Sequence, residues 1–193
     1  MPNMMEIRWH GRGGQGAKTA ALLVGDAVLA QGKYMQAFPE YGPERMGAPV
    51  QSYNRISDSP ITLHCAVTSP SVVVVLDPTL IGATDVTAGL PDDGVIIINT
   101  NQPASYFREK LGLKNGQKVY TVDASTIARE TIGRDIPNTP MLGALVGVTK
   151  MLDFDAMLED TRHKLEKKFR SKPGVVEGNI QAIQRAAQEV NSD

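Results

Sequence analysis

Apolar and polar positions along this chain fall into short segments of two kinds. Glu6-Ile7-Arg8-Trp9-His10 alternates in period two and runs into a cluster of glycines, as a strand entering a turn would. Residues 17–31 are rich in Ala, Leu and Val, and Gly32 follows as a C-terminal cap. A second strand is predicted over 34–38. Val72-Val73-Val74-Val75-Leu76 and Val95-Ile96-Ile97-Ile98 are continuous runs dominated by β-branched residues, which suit strands covered on both faces. A further strand is predicted over 118–122, with helices over 124–132, 141–151, 155–170 and 175–190. Residues 50–56 alternate, Ser57-Asp58-Ser59-Pro60 supplies a turn, and 61–64 completes an inserted hairpin. The order predicts an α/β fold: an open, mostly parallel Rossmann-like sheet with helices on both faces and an inserted β-hairpin. No repeat, low-complexity tract or linker divides it, so residues 1–193 read as one domain.

Composition narrows the classes. Of 193 residues, 41% are hydrophobic and 21% charged, which fits a soluble globular chain, and the net charge of -1 gives no basic face for nucleic acid. No apolar run approaches the roughly 18 residues of a membrane helix. Met1-Pro2-Asn3-Met4-Met5-Glu6 shows no basic region before an apolar stretch, so no secretory signal is expected. The single cysteine, Cys65, cannot form an internal disulfide or hold an iron–sulfur cluster, which needs about four thiolates. Leu63 and Ala66-Val67 beside it predict a small buried apolar residue, and the absence of disulfides fits the cytoplasm.

Ligands meet an open α/β sheet at the carboxyl ends of its strands, and the distinctive segments follow those ends here. Gly11-Arg12-Gly13-Gly14-Gln15-Gly16 matches GxGxxG between a strand and a helix. Glycine permits a tight turn and close backbone approach, and the helix start offers N–H groups to an anion. The same spacing also serves a tight crossing with no ligand. Lys18 sits one residue too late for a P-loop. Glu40, the acid a dinucleotide site would want, lies in a proline-rich loop, which argues against NAD. That loop, 39–49, holds Tyr41, Glu44 and Arg45 and is stiffened by three prolines. Arg45 could take a phosphate or carboxylate, or pair with Glu40 or Glu44. Asp77 and Asp123, just past strands, read as caps of the turns that follow. His10 and His64 lack metal-like companions and read as structural or interface residues. Lys164, Lys167, Lys168, Arg170 and Lys172 read as a solvated helix face.

Ordered words carry a resemblance. Glu6 to His10 running into the glycine loop and Ala17-Lys18-Thr19-Ala20 resembles the opening of the gamma subunit of pyruvate:ferredoxin oxidoreductase. Gly32-Lys33-Tyr34-Met35-Gln36-Ala37-Phe38-Pro39-Glu40-Tyr41-Gly42-Pro43-Glu44-Arg45 resembles that family's second block. Gly47-Ala48-Pro49-Val50, Arg55-Ile56-Ser57-Asp58, Asp77-Pro78-Thr79-Leu80 and Pro137-Asn138-Thr139-Pro140-Met141-Leu142-Gly143-Ala144 follow in order, over roughly residues 6–190. Met46 departs from the pattern, where many relatives carry arginine or a small polar residue, leaving Arg45 as the main anion contact. The resemblance implies a subunit, inactive alone, of a complex that converts a 2-oxoacid, coenzyme A and oxidised ferredoxin to acyl-CoA, carbon dioxide and reduced ferredoxin. Pyruvate is the leading substrate, although gamma subunits serving 2-oxoglutarate, branched-chain 2-oxoacids and indolepyruvate share the domain. It further implies alpha, beta and delta-type partner subunits holding thiamine diphosphate, Mg and iron–sulfur clusters, with no cofactor held by this chain alone. For this chain it implies coenzyme A at Gly11, Arg12, Gly13, Gly14, Gln15, Gly16, Lys18 and Arg45, and partner docking at Tyr41, Glu44 and Arg45. The reading from another class is a free-standing nucleotide-binding module.

Overall fold

In the computed structural model, residues 4–40 and 47–192 are described. The strands are β1 Met4–Arg12, β2 Tyr34–Glu40, β3 Pro49–Ser57, β4 Val72–Val75, β5 Val95–Asn99, β6 Lys118–Val122 and β7 Asn191–Ser192. The helices are α1 Ala17–Ala30, α2 Ala104–Lys110, α3 Ala124–Ile132, α4 Asn138–Thr149, α5 Phe154–Lys168 and α6 Pro173–Glu189, with a 3₁₀ turn at Pro78–Leu80. All seven strands form one sheet in the order β2-β3-β1-β4-β5-β6-β7. Strands β1, β4, β5 and β6 run parallel. Strand β3 is antiparallel to β1 on one side and to β2 on the other.

The hairpin expected over 50–56 and 61–64 is therefore misplaced. Segment 50–56 lies within β3, a full member of the main sheet, and its hairpin partner is β2. Residues 61–64 form no strand. They belong to an irregular crossing between β3 and β4, because Pro60 cannot donate to a ladder. Cys65, in that crossing, is exposed rather than buried. Helix α2 and strand β7 are too short to show a period, and the sequence reading lacks them.

The sheet separates two unequal layers. Ile7 and Trp9 of β1, Val72 and Val74 of β4 and Ile97 of β5 pack beneath α1, α3, α4 and α6 in the principal core. The close approach of α4 and α6 requires Gly143, where an added Cβ would lie 2.1 Å from the Ile183 carbonyl oxygen. On the other face, Val73, Val75, Ile96, Ile98 and Val119 are covered by Phe107 of α2 and by Val86 and Leu90 of an irregular segment. Trp9 Nε1 donates to Asn54 Oδ1 at 2.9 Å, and Asn54 Nδ2 donates to the Ala21 carbonyl at 2.8 Å. One buried amide thus ties β1, β3 and α1 together.

The alternate residues of β1 and β3 send charge toward the thinner layer. Buried Arg55 donates from Nε to Glu6 Oε1 at 2.7 Å and from Nη2 to the Ala66 carbonyl at 3.1 Å. Arg8, also buried, donates from Nη2 to the carbonyls of Val86 and Ala88, and from Nε to His10 Nε2 at 2.9 Å. His10 is thus structural. Burial, and then the Arg8 charge, push its imidazole down to about 4 from an ordinary value of 6.5. Between those values the unfolded chain binds a proton that the folded chain refuses, so stability falls as pH drops through this window and flattens below about 4. We expect His10→Gln, which keeps an acceptor for Arg8, to remove from that fall a component on the order of 3 kcal/mol. Urea melts of both proteins from pH 7 to 4 check this, and parallel curves contradict it.

Candidate functional site

Strands β1, β4, β5 and β6 end at one edge, where β2 also ends and β3 begins. Segment Gly11 to Gly16 turns from β1 into α1 there. Gln15 N–H donates to the Arg12 carbonyl at 3.1 Å, closing a turn, and Gln15 Oε1 accepts from Arg12 N–H at 2.7 Å. Gly14 and Gly16 adopt φ of 99° and 84°, conformations that glycine enters without cost. Gly13 N–H donates to the Ala48 carbonyl at 3.1 Å, joining the turn to the approach to β3.

Side chains brace this turn. Arg12 donates from Nε to Asp77 Oδ2 at 3.1 Å, from Nη2 to Thr79 Oγ1 at 3.0 Å and from Nη1 to the Gly47 carbonyl at 3.1 Å. Gln15 Nε2 donates to Asp77 Oδ2 at 2.8 Å. Asp77 Oδ1 accepts from Thr79 N–H and Oγ1, capping the 3₁₀ turn as expected. Burial raises the Asp77 carboxyl, but the bonds from Thr79 and Gln15 and the Arg12 charge outweigh it and hold it below its ordinary value. Asp123 likewise accepts from Thr126 N–H and caps α3. At the neighbouring strand end, Asn99 bridges the Leu76 carbonyl and Ser125.

A cleft of about 370 Å³ opens against the glycine turn, with Gly14, Gly16 and Thr19 on one wall. Arg134, Lys164, Lys168 and Lys172 also line it and form its basic wall, with Asn138, Thr139 and Asn179 and apolar side chains such as Leu23, Ile136 and Phe169. Thr139 and Asn179 are buried and bonded to each other at 2.8 Å. Lys164 pairs with Asp160 at 2.5 Å and Asp26 at 3.5 Å. Arg134 and Lys172 make no ion pair among the described residues, and Lys168 lies over the Phe169 ring at 5.5 Å. Of the five basic residues read as a solvated face, Lys164, Lys168 and Lys172 line the cleft and Lys167 and Arg170 do not; Lys168 and Lys172 are exposed, as that reading expects. The spacing of four between 164, 168 and 172 was the available signal, but only the packing of α5 beside α1 shows what they face.

Of the residues singled out in the sequence, Gly11 and Arg12 end β1 and Gly13 to Gly16 form the turn. Lys18 lies on the flank of α1 toward β2, lining a small cavity with Leu22, Phe38 and Ser52, rather than in the basic cleft. Tyr41, Glu44 and Arg45 lie outside the described residues. Among the described residues no group of three or more His, Cys, Asp or Glu side chains could hold a metal ion, and no helix is long and apolar enough to cross a membrane.

This turn-and-cleft edge on a mixed α/β sheet defines a ligand- or partner-facing domain, and comparison places it. The chain belongs to the pyruvate ferredoxin/flavodoxin oxidoreductase family, whose model matches residues 6–189. It is similar to the pyruvate synthase subunit PorC of Thermotoga maritima, at 47% identity over 96% of this chain and 94% of that one. The crystal structure of the T. maritima pyruvate oxidoreductase subunit PORC matches with a TM-score of 0.85 and 44% identity, over 98% of each chain. The common gamma subunit of pyruvate/ketoisovalerate oxidoreductases from Pyrococcus abyssi is 48% identical over 82% of this chain and 86% of that one. The 2-oxoglutarate:ferredoxin oxidoreductase of Magnetococcus marinus, solved with 2-oxoglutarate, coenzyme A and succinyl-CoA bound, shares the fold at a TM-score of 0.76 and 18% identity. The match covers 96% of this chain and 30% of that one. Family membership argues against a free-standing nucleotide-binding module.

The glycine turn tolerates side chains unequally. At Gly16 an added Cβ would lie 2.6 Å from Asn138 Nδ2, whereas at Gly14 nothing lies within 4 Å. We expect Gly14→Ala to cost about 1–2 kcal/mol for its backbone conformation alone. Gly16→Ala should cost about 2–4 kcal/mol once the clash is added. Asn138→Ala should recover part of the Gly16→Ala loss and none of the Gly14→Ala loss. Equilibrium unfolding of the three single and two double variants measures this, and equal losses at the two glycines contradict it.

Proposed function

We propose that this chain is the gamma subunit of a pyruvate:ferredoxin oxidoreductase and supplies one wall of the coenzyme A site. The assembled enzyme would convert pyruvate, coenzyme A and oxidised ferredoxin to acetyl-CoA, carbon dioxide and reduced ferredoxin in the cytoplasm. Thiamine diphosphate with Mg, and iron–sulfur clusters, supply the decarboxylation and electron-transfer chemistry on alpha, beta and delta-type partner subunits. The residues here do not fit a cluster, since one cysteine stands where about four thiolates are required. The chain on its own is not an active oxidoreductase.

The observation that carries the coenzyme A assignment is the cleft that joins the glycine turn to Arg134, Lys168 and Lys172. Coenzyme A brings phosphate groups, which want close backbone approach and multiple positive charges. Gly14 and Gly16 allow the approach, and Arg134, Lys168 and Lys172 offer charges that no carboxylate among the described residues pairs. Three of the five guanidinium N–H groups of Arg12 are engaged by the bonds from Nε, Nη1 and Nη2, so its exposed edge retains donors for a ligand. Lys18, on the flank of α1 toward β2, would add charge, as would Arg45, and Tyr41, Glu44 and Arg45 would dock a partner subunit. The fold also occurs within the Magnetococcus marinus enzyme solved with coenzyme A bound, which supports the reading. A P. abyssi gamma subunit common to two oxidoreductases supports a division in which other chains select the 2-oxoacid.

The test uses the assembled complex. Removing Lys168 and Lys172 together should raise the Michaelis constant for coenzyme A about ten- to a hundredfold, as expected for charge-assisted contacts of about 1.5–3 kcal/mol, and removing Lys18, which lies on the flank outside that cleft, should raise it by less. The constant for pyruvate should move far less. An unchanged coenzyme A constant in both variants, with normal assembly, would leave the glycine segment a structural turn.

A further inference from the structure

We propose that Asp77 is a positioning residue that sets the shape of the glycine turn and locks it to the start of β3. Its function in catalysis rests on the coenzyme A reading above, but its structural action does not.

An ionised carboxylate only accepts hydrogen bonds. Asp77 receives four: Thr79 N–H at 2.9 Å and Thr79 Oγ1 at 2.6 Å on Oδ1, and Gln15 Nε2 at 2.8 Å and Arg12 Nε at 3.1 Å on Oδ2. Because Asp77 cannot donate, Gln15 must turn its NH₂ group toward it. That orientation leaves Gln15 Oε1 facing the Arg12 N–H, 2.7 Å away. Thus the charge on Asp77 fixes the amide of Gln15, and the amide in turn closes the backbone between Arg12 and Gln15. The second arm is Arg12. Held from behind by Asp77 and Thr79, its guanidinium reaches the Gly47 carbonyl at 3.1 Å, while Gly13 N–H reaches the Ala48 carbonyl. Three separate segments, the turns after β1 and β4 and the approach to β3, are joined through one carboxylate that is 9% exposed. The position past β4 marks Asp77 as a cap, and the cap uses only Oδ1. Oδ2 is free to act on another segment, which no local sequence pattern discloses.

Asp77→Asn isolates this action. The amide oxygen can still cap Thr79, so the turn after β4 is preserved. The new NH₂ group instead faces the donors of Gln15 and Arg12, and Gln15 must either lose its partner or flip away from the Arg12 N–H. In the assembled complex we expect the Michaelis constant for coenzyme A to rise about tenfold, the loss of a single charge-assisted bond. That for pyruvate should change by less than about twofold. Hydrogen exchange in peptides spanning residues 11–16 should accelerate about tenfold or more. The reciprocal double variant Gln15→Glu/Asp77→Asn restores a donor facing an acceptor and should recover most of both losses, which a merely destabilised fold would not do. Unchanged exchange in Asp77→Asn overturns the proposal, as does a double variant no better than the single one. An unchanged coenzyme A constant in Asp77→Asn, beside a raised one in the Lys168/Lys172 variant, also overturns it. If the constant is unchanged in both, the coenzyme A reading fails, and exchange with its rescue alone decides the role of Asp77.

Discussion

The antiparallel ladder between β1 and β3 determines what can meet at the carboxyl edge of the sheet. Its register runs from Met4 opposite Ser57 to Arg12 opposite Pro49. A one-residue slip would turn Trp9 and Ile7 away from the helices and expose them, so the hydrophobic pattern admits one pairing. In that pairing Gly47 and Ala48 lie beside the glycine turn. Had β2 paired directly with β1, as in a simple βαβ unit, the loop after β2 would not return alongside Arg12. The inserted strand is therefore what allows the glycine turn to be braced from two sides. The Asn54 amide reinforces it by accepting from Trp9 and donating to α1, so ladder and helix hold the same register.

The same ladder explains why one face of the sheet is helix-poor. Ile7 and Trp9 face the helices, so Glu6, Arg8 and His10 face away from them, and Arg55 joins them from β3. Two buried guanidiniums need acceptors, and a helix packed over them would offer few, because its carbonyls already bond along its own axis. Irregular chain has carbonyls to spare. Those of Ala66, Val86 and Ala88 accept from Arg55 and Arg8, and Glu6 balances the charge of Arg55. The loose look of the segments before β4 and after it is thus tied to burying arginine. An apolar β1 on both sides would have suited a helix instead.

This bears on what the sequence discloses. The runs at 72–76 and 95–98 could only be strands buried on both faces, and they are the sheet's centre. The helical segments from 124 onward stand within a few residues of their predicted bounds: α3, α5 and α6 each show one apolar face, and α4, buried almost all round, is marked by the length of its apolar run. Strand β3 was visible as an alternating segment, yet its partners were not, because pairing between β1 and β3 spans some 45 residues and no turn chemistry announces it. Cys65 was misjudged because apolar neighbours predict burial only inside regular structure. At the edge, the glycine turn and both aspartate caps were legible, being local. That Arg134, Lys168 and Lys172 share a cleft with Gly14 and Gly16 was not, since it depends on how α5 and the connections on either side of the cleft lie beside α1. Nor was the second oxygen of Asp77, whose partners are 62 and 65 residues away.

The two walls of the cleft differ in a way that matters for a phosphate-bearing ligand. The glycine wall is fixed: its backbone is closed by Gln15, tied to Ala48 and held by a carboxylate with four donors. The basic wall is made of long side chains on a helix end and two connections, and of these Lys168 and Lys172 are flexible-stemmed cations without a carboxylate partner among the described residues. A rigid wall lined with backbone recognises shape but attracts over a short range. Flexible cations attract over about a Debye length, close to 8 Å at physiological salt, but alone impose little orientation. Under the coenzyme A proposal, cations and turn sharing one cleft would divide the work, the cations gathering an anion and the turn orienting it. The ordering cost then falls on surface lysines rather than on the backbone, where misplacement by an ångström would lose the contact. That division requires the turn to be shaped before any ligand arrives, which glycines alone, being the most freely moving residues in the chain, cannot achieve. The bracing side chains around the turn are what make a flexible sequence serve as a rigid wall.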